Sequence, residues 1–193
     1  MYGKCNFTEA DLRLPLYNGD DEKVEKPISV LSLHNDIKSS DGVIITSPEY
    51  NKGISGVLKN SLDWVSRVPG SVWKDKPVVI MSAAAGRTGG EAAQYMGRAC
   101  LTPFGPRILN SPIVCVAQVS QQFDSQGQII SERYIELIKE TMENLKFLML
   151  SWIIEKLKVL ILTITKLLKI KKLKLYLKYL NYQVRIKKIS FQT

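Results

Sequence analysis

The chain has 193 residues, enough for one domain with a sizeable core, and 27 Lys and Arg against 18 Asp and Glu give a net charge of +9. That charge is local: residues 151–193 hold 11 basic residues and one acid, leaving 16 basic and 17 acidic groups in the rest, so a pI near 9.4 does not make the body a nucleic-acid binder. A single histidine, His34, excludes a multi-histidine metal site, and Cys5, Cys100 and Cys115, odd in number and without CxxC spacing, favour a reducing interior over a disulfide scaffold.

Residues 1–11 lack the basic start and apolar core of a signal peptide, so a cytoplasmic location is expected. Phe7 and residues 12–16 read as the end of a strand, followed by a turn over 15–20. Pro27 suits a first helical turn, and Val30, Leu33 and Ile37 repeat at helical spacing, which predicts a helix over 27–38 with His34 packed inward. The unbroken Val43-Ile44-Ile45 predicts a strand over 42–46 covered on both faces, as in a parallel sheet. Ile54, Val57, Leu58, Leu62 and Val65 predict a helix over 54–67 with Ser55 as N-cap; Trp64 on it suits either the core or a subunit contact. Further strands are predicted at 77–81 and 113–116, and further helices at 91–101 and 131–145, the last with Ile135, Ile138, Met142 and Leu145 inward. Alternating helices and strands of this kind predict a doubly wound α/β sheet.

From Phe147 the sequence turns into a low-complexity mixture of Leu, Ile, Lys and Tyr. Glu155, Lys156 and Lys158 interrupt any membrane-spanning window, whereas Ile170, Leu173, Leu177 and Leu180 beside Lys171, Lys174 and Lys178 permit a basic amphipathic helix.

Two stretches carry the chemistry. Residues 47–51 form a polar turn leaving the 42–46 strand, where an open α/β sheet exposes backbone groups to a ligand. Residues 82–90 hold Gly86, Gly89 and Gly90, which permit left-handed backbone and close approach to a flat ligand, ahead of a helix whose positive dipole end faces it. The stretches SPEYNKGISGVLKNSLDWVSR (47–67) and SAAAGRTGGEAAQYMGRACLTPFG (82–105) resemble the two flavin-side loops, with their helices, of the NADPH-dependent FMN reductase family, and the likeness spans roughly residues 9–147.

This resemblance implies a flavodoxin-like doubly wound parallel sheet lacking the first strand, phosphate loop and first helix, over residues 1–147, with 148–193 a tail outside the domain. It implies FMN as cofactor, with NADPH or NADH as donor. The cofactor-binding residues it carries over are Pro48, Glu49, Tyr50, Asn51, Ser82, Ala83, Gly86, Arg87, Gly89 and Gly90, with Arg87 also placed to attract a nicotinamide phosphate. No catalytic side chain and no metal are implied, because the flavin ring itself accepts the hydride. The implied partners are a small-molecule electron acceptor, a quinone, azo compound or metal oxyanion, reduced in a ping-pong cycle, and further copies of the chain in a homodimer or homotetramer; no nucleic acid is implied. Since no Gly-Ser-Arg loop precedes residue 9, weak FMN binding and low stability are expected. Two alternatives stand beside the enzyme: an inactive truncated remnant, and a non-catalytic protein held at a membrane surface by its basic tail.

Overall fold

The organising element of the computed structural model, which describes residues 5–168, is strand β2 (Pro77–Ala83). Its Val78, Val79 and Ile80 are all nearly inaccessible, so both faces are covered, as an unbroken apolar run requires. On one edge β1 (Val43–Ser47) pairs with it in parallel, Val43 opposite Val78 through Ser47 opposite Ser82. On the other edge lie two short parallel pieces, β3 (Arg107–Ile108) near its start and β4 (Val114–Val116) near its end.

β1 departs from the expectation of cover on both faces. Ile45 and Ser47 are buried, but Val43 and Ile44 are only partly so and Thr46 is exposed, so one face is less covered than the other; among the described residues β1 is also an edge strand. The expected strand over 12–16 is also absent. Leu14 N–H turns back onto the Leu12 carbonyl, and the segment is held by side chains: Asn60 accepts from Tyr17 N–H at 2.8 Å, and Asn60 and Trp64 donate to the Pro15 carbonyl. In place of the turn at 15–20 a short helix α1 (Gly19–Val24) begins, N-capped by Asn18.

Helix α2 (Ile28–Ser39) buries Val30, Leu33, His34 and Ile37, the face its spacing predicts, with Pro27 one position ahead as N-cap. Lys76, itself buried, donates to the Lys38 and Ser40 carbonyls and so places a cation at the C-terminal end of α2. Helix α3 (Gly56–Ser66) has Ser55 as N-cap, accepting from Leu58 N–H at 3.4 Å. Helix α4 (Glu91–Leu101) packs on β2, with Gly97 facing Ile54 and Ile80. The core joins Leu33 and Ile37 of α2, Ile45 of β1, Leu58, Leu62 and Val65 of α3, and Val78 and Ile80 of β2 to Ala93 and Leu101 of α4.

The chain forms two compact units, Met1–Lys146 and Phe147–Thr193. Helix α5 (Glu132–Leu168) starts in the first and ends in the second, well past the predicted stop at 145. In the first unit its buried residues are Tyr134, Thr141 and Leu145, with Ile135, Ile138 and Met142 partly buried. Two of these are polar and satisfied: Ala117 N–H donates to Tyr134 Oη at 3.0 Å, and Thr141 Oγ1 donates to the Leu137 carbonyl at 2.7 Å. In the second unit the Lys156 ammonium sits 3.6 Å from the centre of the Trp152 ring. No helix among the described residues is long and apolar enough to cross a membrane. The basic amphipathic helix expected around 170–180 lies outside the described residues.

Candidate functional site: two loops at paired strand ends

The register of β1 on β2 decides the site, because Ser47 and Ser82 are paired neighbours and the loops that leave them must lie side by side. Ser47 is buried and its hydroxyl works locally, donating to the Pro48 carbonyl at 2.8 Å and accepting from Ser55 N–H at 3.2 Å. The chain then closes a two-residue turn. Tyr50 and Gly53 exchange N–H to C=O bonds of 3.0 Å in both directions, with Asn51 at φ 49° and Lys52 at φ 64°. Two successive left-handed residues define a type I′ turn, which Asn tolerates well and Lys does not. The Tyr50 side chain stands out from this turn, 63% exposed.

Glu49 points the other way. Its Oε2 accepts from Ala92 N–H at 3.0 Å and Ala93 N–H at 3.4 Å, at the start of α4, and Lys52 pairs with its Oε1 at 3.4 Å. Gly90, the N-cap of α4, has no side chain to do this, so a residue of the first loop caps the helix behind the second. Replacing Glu49 by Ala should cost about 1–2 kcal/mol, read as a lower urea midpoint, while Glu49→Gln should keep much of it. An unchanged midpoint in the Ala variant would show that the cap contributes nothing.

In the second loop Ser82 is also buried, its hydroxyl donating to the Gly89 carbonyl at 2.8 Å. Gly89 and Gly90 both take left-handed backbone, at φ 62° and 91°. Gly86 does not, and open space surrounds it. Ala84 N–H bonds to Val116 and Gly89 N–H to Gly86, but the N–H groups of Ala85, Gly86, Arg87 and Thr88 have no backbone partner among the described residues. The same holds for Glu49, Asn51 and Lys52 in the first loop. Two adjacent rows of unspent donors at the carboxyl end of a parallel sheet fit the polar edge of a flat heteroaromatic ring, so these residues fit the ring portion of FMN. No described loop supplies the Gly-Ser-Arg set expected for its phosphate.

Beside the second loop opens a cavity of about 280 Å³ lined by Thr88, Glu91, Gln94, Tyr95, Arg98 and Cys115. The Tyr95 hydroxyl donates to Glu91 at 3.0 Å, a bond that raises its pKa. Burial lowers that of Arg98, whose guanidinium donates to Leu109 O and Asn110 Oδ1. The ten residues expected at the site all lie at the end of β2 or on the two loops that leave β1 and β2. Two of them, Glu49 and Ser82, have their side chains committed to holding the loops together.

The sequence from residue 6 to 121 matches the model of the family described as NADPH-dependent FMN reductase. The chain belongs to that family. It is 36% identical over 133 residues to an NAD(P)H-dependent FMN reductase of Pseudomonas aeruginosa, covering 69% of this chain and 72% of that one. It is 36% identical over 121 residues to a quinone reductase of Escherichia coli, covering 62% of this chain and 64% of the relative. Among solved structures the flavoenzyme NAD(P)H:(acceptor) oxidoreductase FerB of Paracoccus denitrificans superposes with a TM-score of 0.69 at 28% identity, over 77% of this chain and 82% of that chain. The fold is thus flavodoxin-like, the class is that of NAD(P)H-dependent flavin oxidoreductases, and FMN and NAD(P)H are the cofactors of the family.

Proposed function

We propose that this member of the FMN reductase family passes electrons from NADPH or NADH, through FMN, to a quinone. The observation that carries the reading is the pairing of Ser47 with Ser82, which brings the loop bearing the N–H groups of Glu49, Asn51 and Lys52 beside the loop bearing those of residues 85–88. Bound there, FMN supplies the hydride chemistry. The chain's own residues bind and orient: the loop N–H groups hold the ring's polar edge, the type I′ turn fixes Tyr50 at the rim, and Arg87, exposed on the second loop, offers charge to a nicotinamide phosphate. A ping-pong order follows if donor and acceptor use the same open ring face in turn, and azo compounds or metal oxyanions would enter by the same opening. Exposed Tyr50, Tyr95 and Met96 near the loops support a homodimer or homotetramer formed through this side, and thiols at Cys100 and Cys115 support a cytoplasmic location.

The test is NADPH consumption by the purified chain with added FMN, using benzoquinone and an azo dye as acceptors. Quinone-dependent turnover with parallel double-reciprocal lines is expected; loss of NADPH at the rate of free FMN alone would reject the reading. The remnant reading draws on the described residues having no phosphate cradle, and it predicts that second result.

A further inference from the structure

A segment outside both motifs holds the second loop from its outer side. Strand β4 pairs with β2 on the edge opposite β1, Ala83 beside Val116, so the chain leaving β4 at Ala117 runs along the loop leaving β2. Three backbone hydrogen bonds join them. Ala84 N–H donates to the Val116 carbonyl at 3.0 Å, Gln118 N–H to the Gly86 carbonyl at 3.2 Å, and Val119 N–H to the Ala84 carbonyl at 3.3 Å.

Two of these bonds fix directions inside the loop. In a trans peptide the C=O of one residue and the N–H of the next point opposite ways, and residues 84–87 contain no cis bond. The Ala84 and Gly86 carbonyls face the β4 side. The N–H groups of Ala85 and Arg87 therefore face away from it, toward the side of β2 on which the first loop lies, and neither has a backbone partner among the described residues.

The segment owes its own place to α5. Ala117 N–H donates to Tyr134 Oη at 3.0 Å, and Tyr134 is 7% exposed. The next residue, Gln118, is left-handed at φ 50°, a conformation that a residue with a Cβ disfavours and that its surroundings must hold. The bonds on either side do so: Ala117 to Tyr134, and Gln118 to Gly86. Without the Tyr134 oxygen, the Ala117 donor is left unmet just where the turn begins.

We propose that Tyr134 is a positioning residue for the flavin site: through Ala117 and Gln118 it turns the carbonyls of Ala84 and Gly86 toward β4, so that Ala85 and Arg87 supply the second loop's two donors to the ring edge. The inference rests on the flavin reading above and adds residues that touch no ligand.

The experiment follows the backbone ¹⁵N–¹H resonances of the full chain, free and with riboflavin, which carries the ring without the phosphate. Riboflavin should move Ala85 and Arg87 and leave Ala84 and Gly89, whose N–H groups are already spent. Tyr134→Phe keeps the ring and removes the acceptor. In the free chain it should shift Gln118 and Val119 together with Ala85 and Arg87, and it should bind riboflavin about fivefold more weakly, the worth of one neutral hydrogen bond. Leu145→Ala, which removes a buried side chain from the same helix, should lower the urea midpoint at least as much and yet bind riboflavin like the parent. A parent that does not bind riboflavin rejects the flavin reading, and the free-chain shifts then decide the orientation by themselves. The positioning role is overturned if Tyr134→Phe leaves Ala85 and Arg87 in place, if it binds riboflavin like the parent, or if Leu145→Ala weakens binding as much.

Discussion

Gly89→Ala is expected to lose on the order of 4 kcal/mol of stability, at the extreme of what single substitutions do. A Cβ at Gly89 would stand 2.5 Å from both the carbonyl carbon and oxygen of Cys115 and 2.8 Å from Ala117 N. All three are backbone atoms at the end of β4, so no side-chain rotation relieves the overlap, and φ of 62° adds strain for any residue with a Cβ. Urea denaturation measures the loss, and FMN affinity should fall with it because the second loop cannot keep its place. Gly86→Ala is the control: nothing lies within 4 Å of the added carbon, so stability should stay within about 0.5 kcal/mol. Equal midpoints for the two variants would mean that Gly89 does not pin this loop against β4.

Trp64→Ala should cost about 3–5 kcal/mol, the usual range for removing a fully buried aromatic. Trp64 has no exposed surface, which settles its place in the core rather than at a subunit contact. The cost has a second component. Its Nε1 donates to the Pro15 carbonyl at 2.8 Å and its ring meets Tyr17 edge-on at 5.0 Å, so the segment before α1 is fastened to α3 through this side chain. Trp64→Phe keeps most of the packing and loses the hydrogen bond, and should cost much less. In limited proteolysis the Ala variant should be cut around residues 12–18 sooner than the Phe variant; identical stability in the two would assign the whole effect to the hydrogen bond.

The parts of this fold that were legible beforehand are those in which local pattern and packing agree. Helix α4 runs over 91–101 as predicted, and α3 starts where Ser55 caps it. Strand β2 is the buried strand its apolar run announces. Helix α1 buries nothing, and β3 has two residues, so neither leaves a periodic signal. The extension of α5 did have a signal, since no Gly or Pro follows Gly127 to stop a helix. Its face was legible in part: Leu145 is buried and Ile135, Ile138 and Met142 partly so, but Tyr134 and Thr141 are inward polar residues satisfied by bonds that sequence does not display. At the site, positions of the loops were legible because both follow strands. The use of Glu49 as a cap was not, since the residues it bonds lie more than 40 positions away.

That cap sets the electrical character of the site. The amino end of α4 would otherwise carry about half a positive charge toward the loops; Glu49 compensates it from within the chain. A ring seated on residues 85–88, as proposed, would meet amide donors rather than a helix-borne positive charge, and negative charge arriving on it would gain little from α4. In the proposed flavin site, the edge would be held by shape and hydrogen bonding, with the field of its nearest helix already met by Glu49.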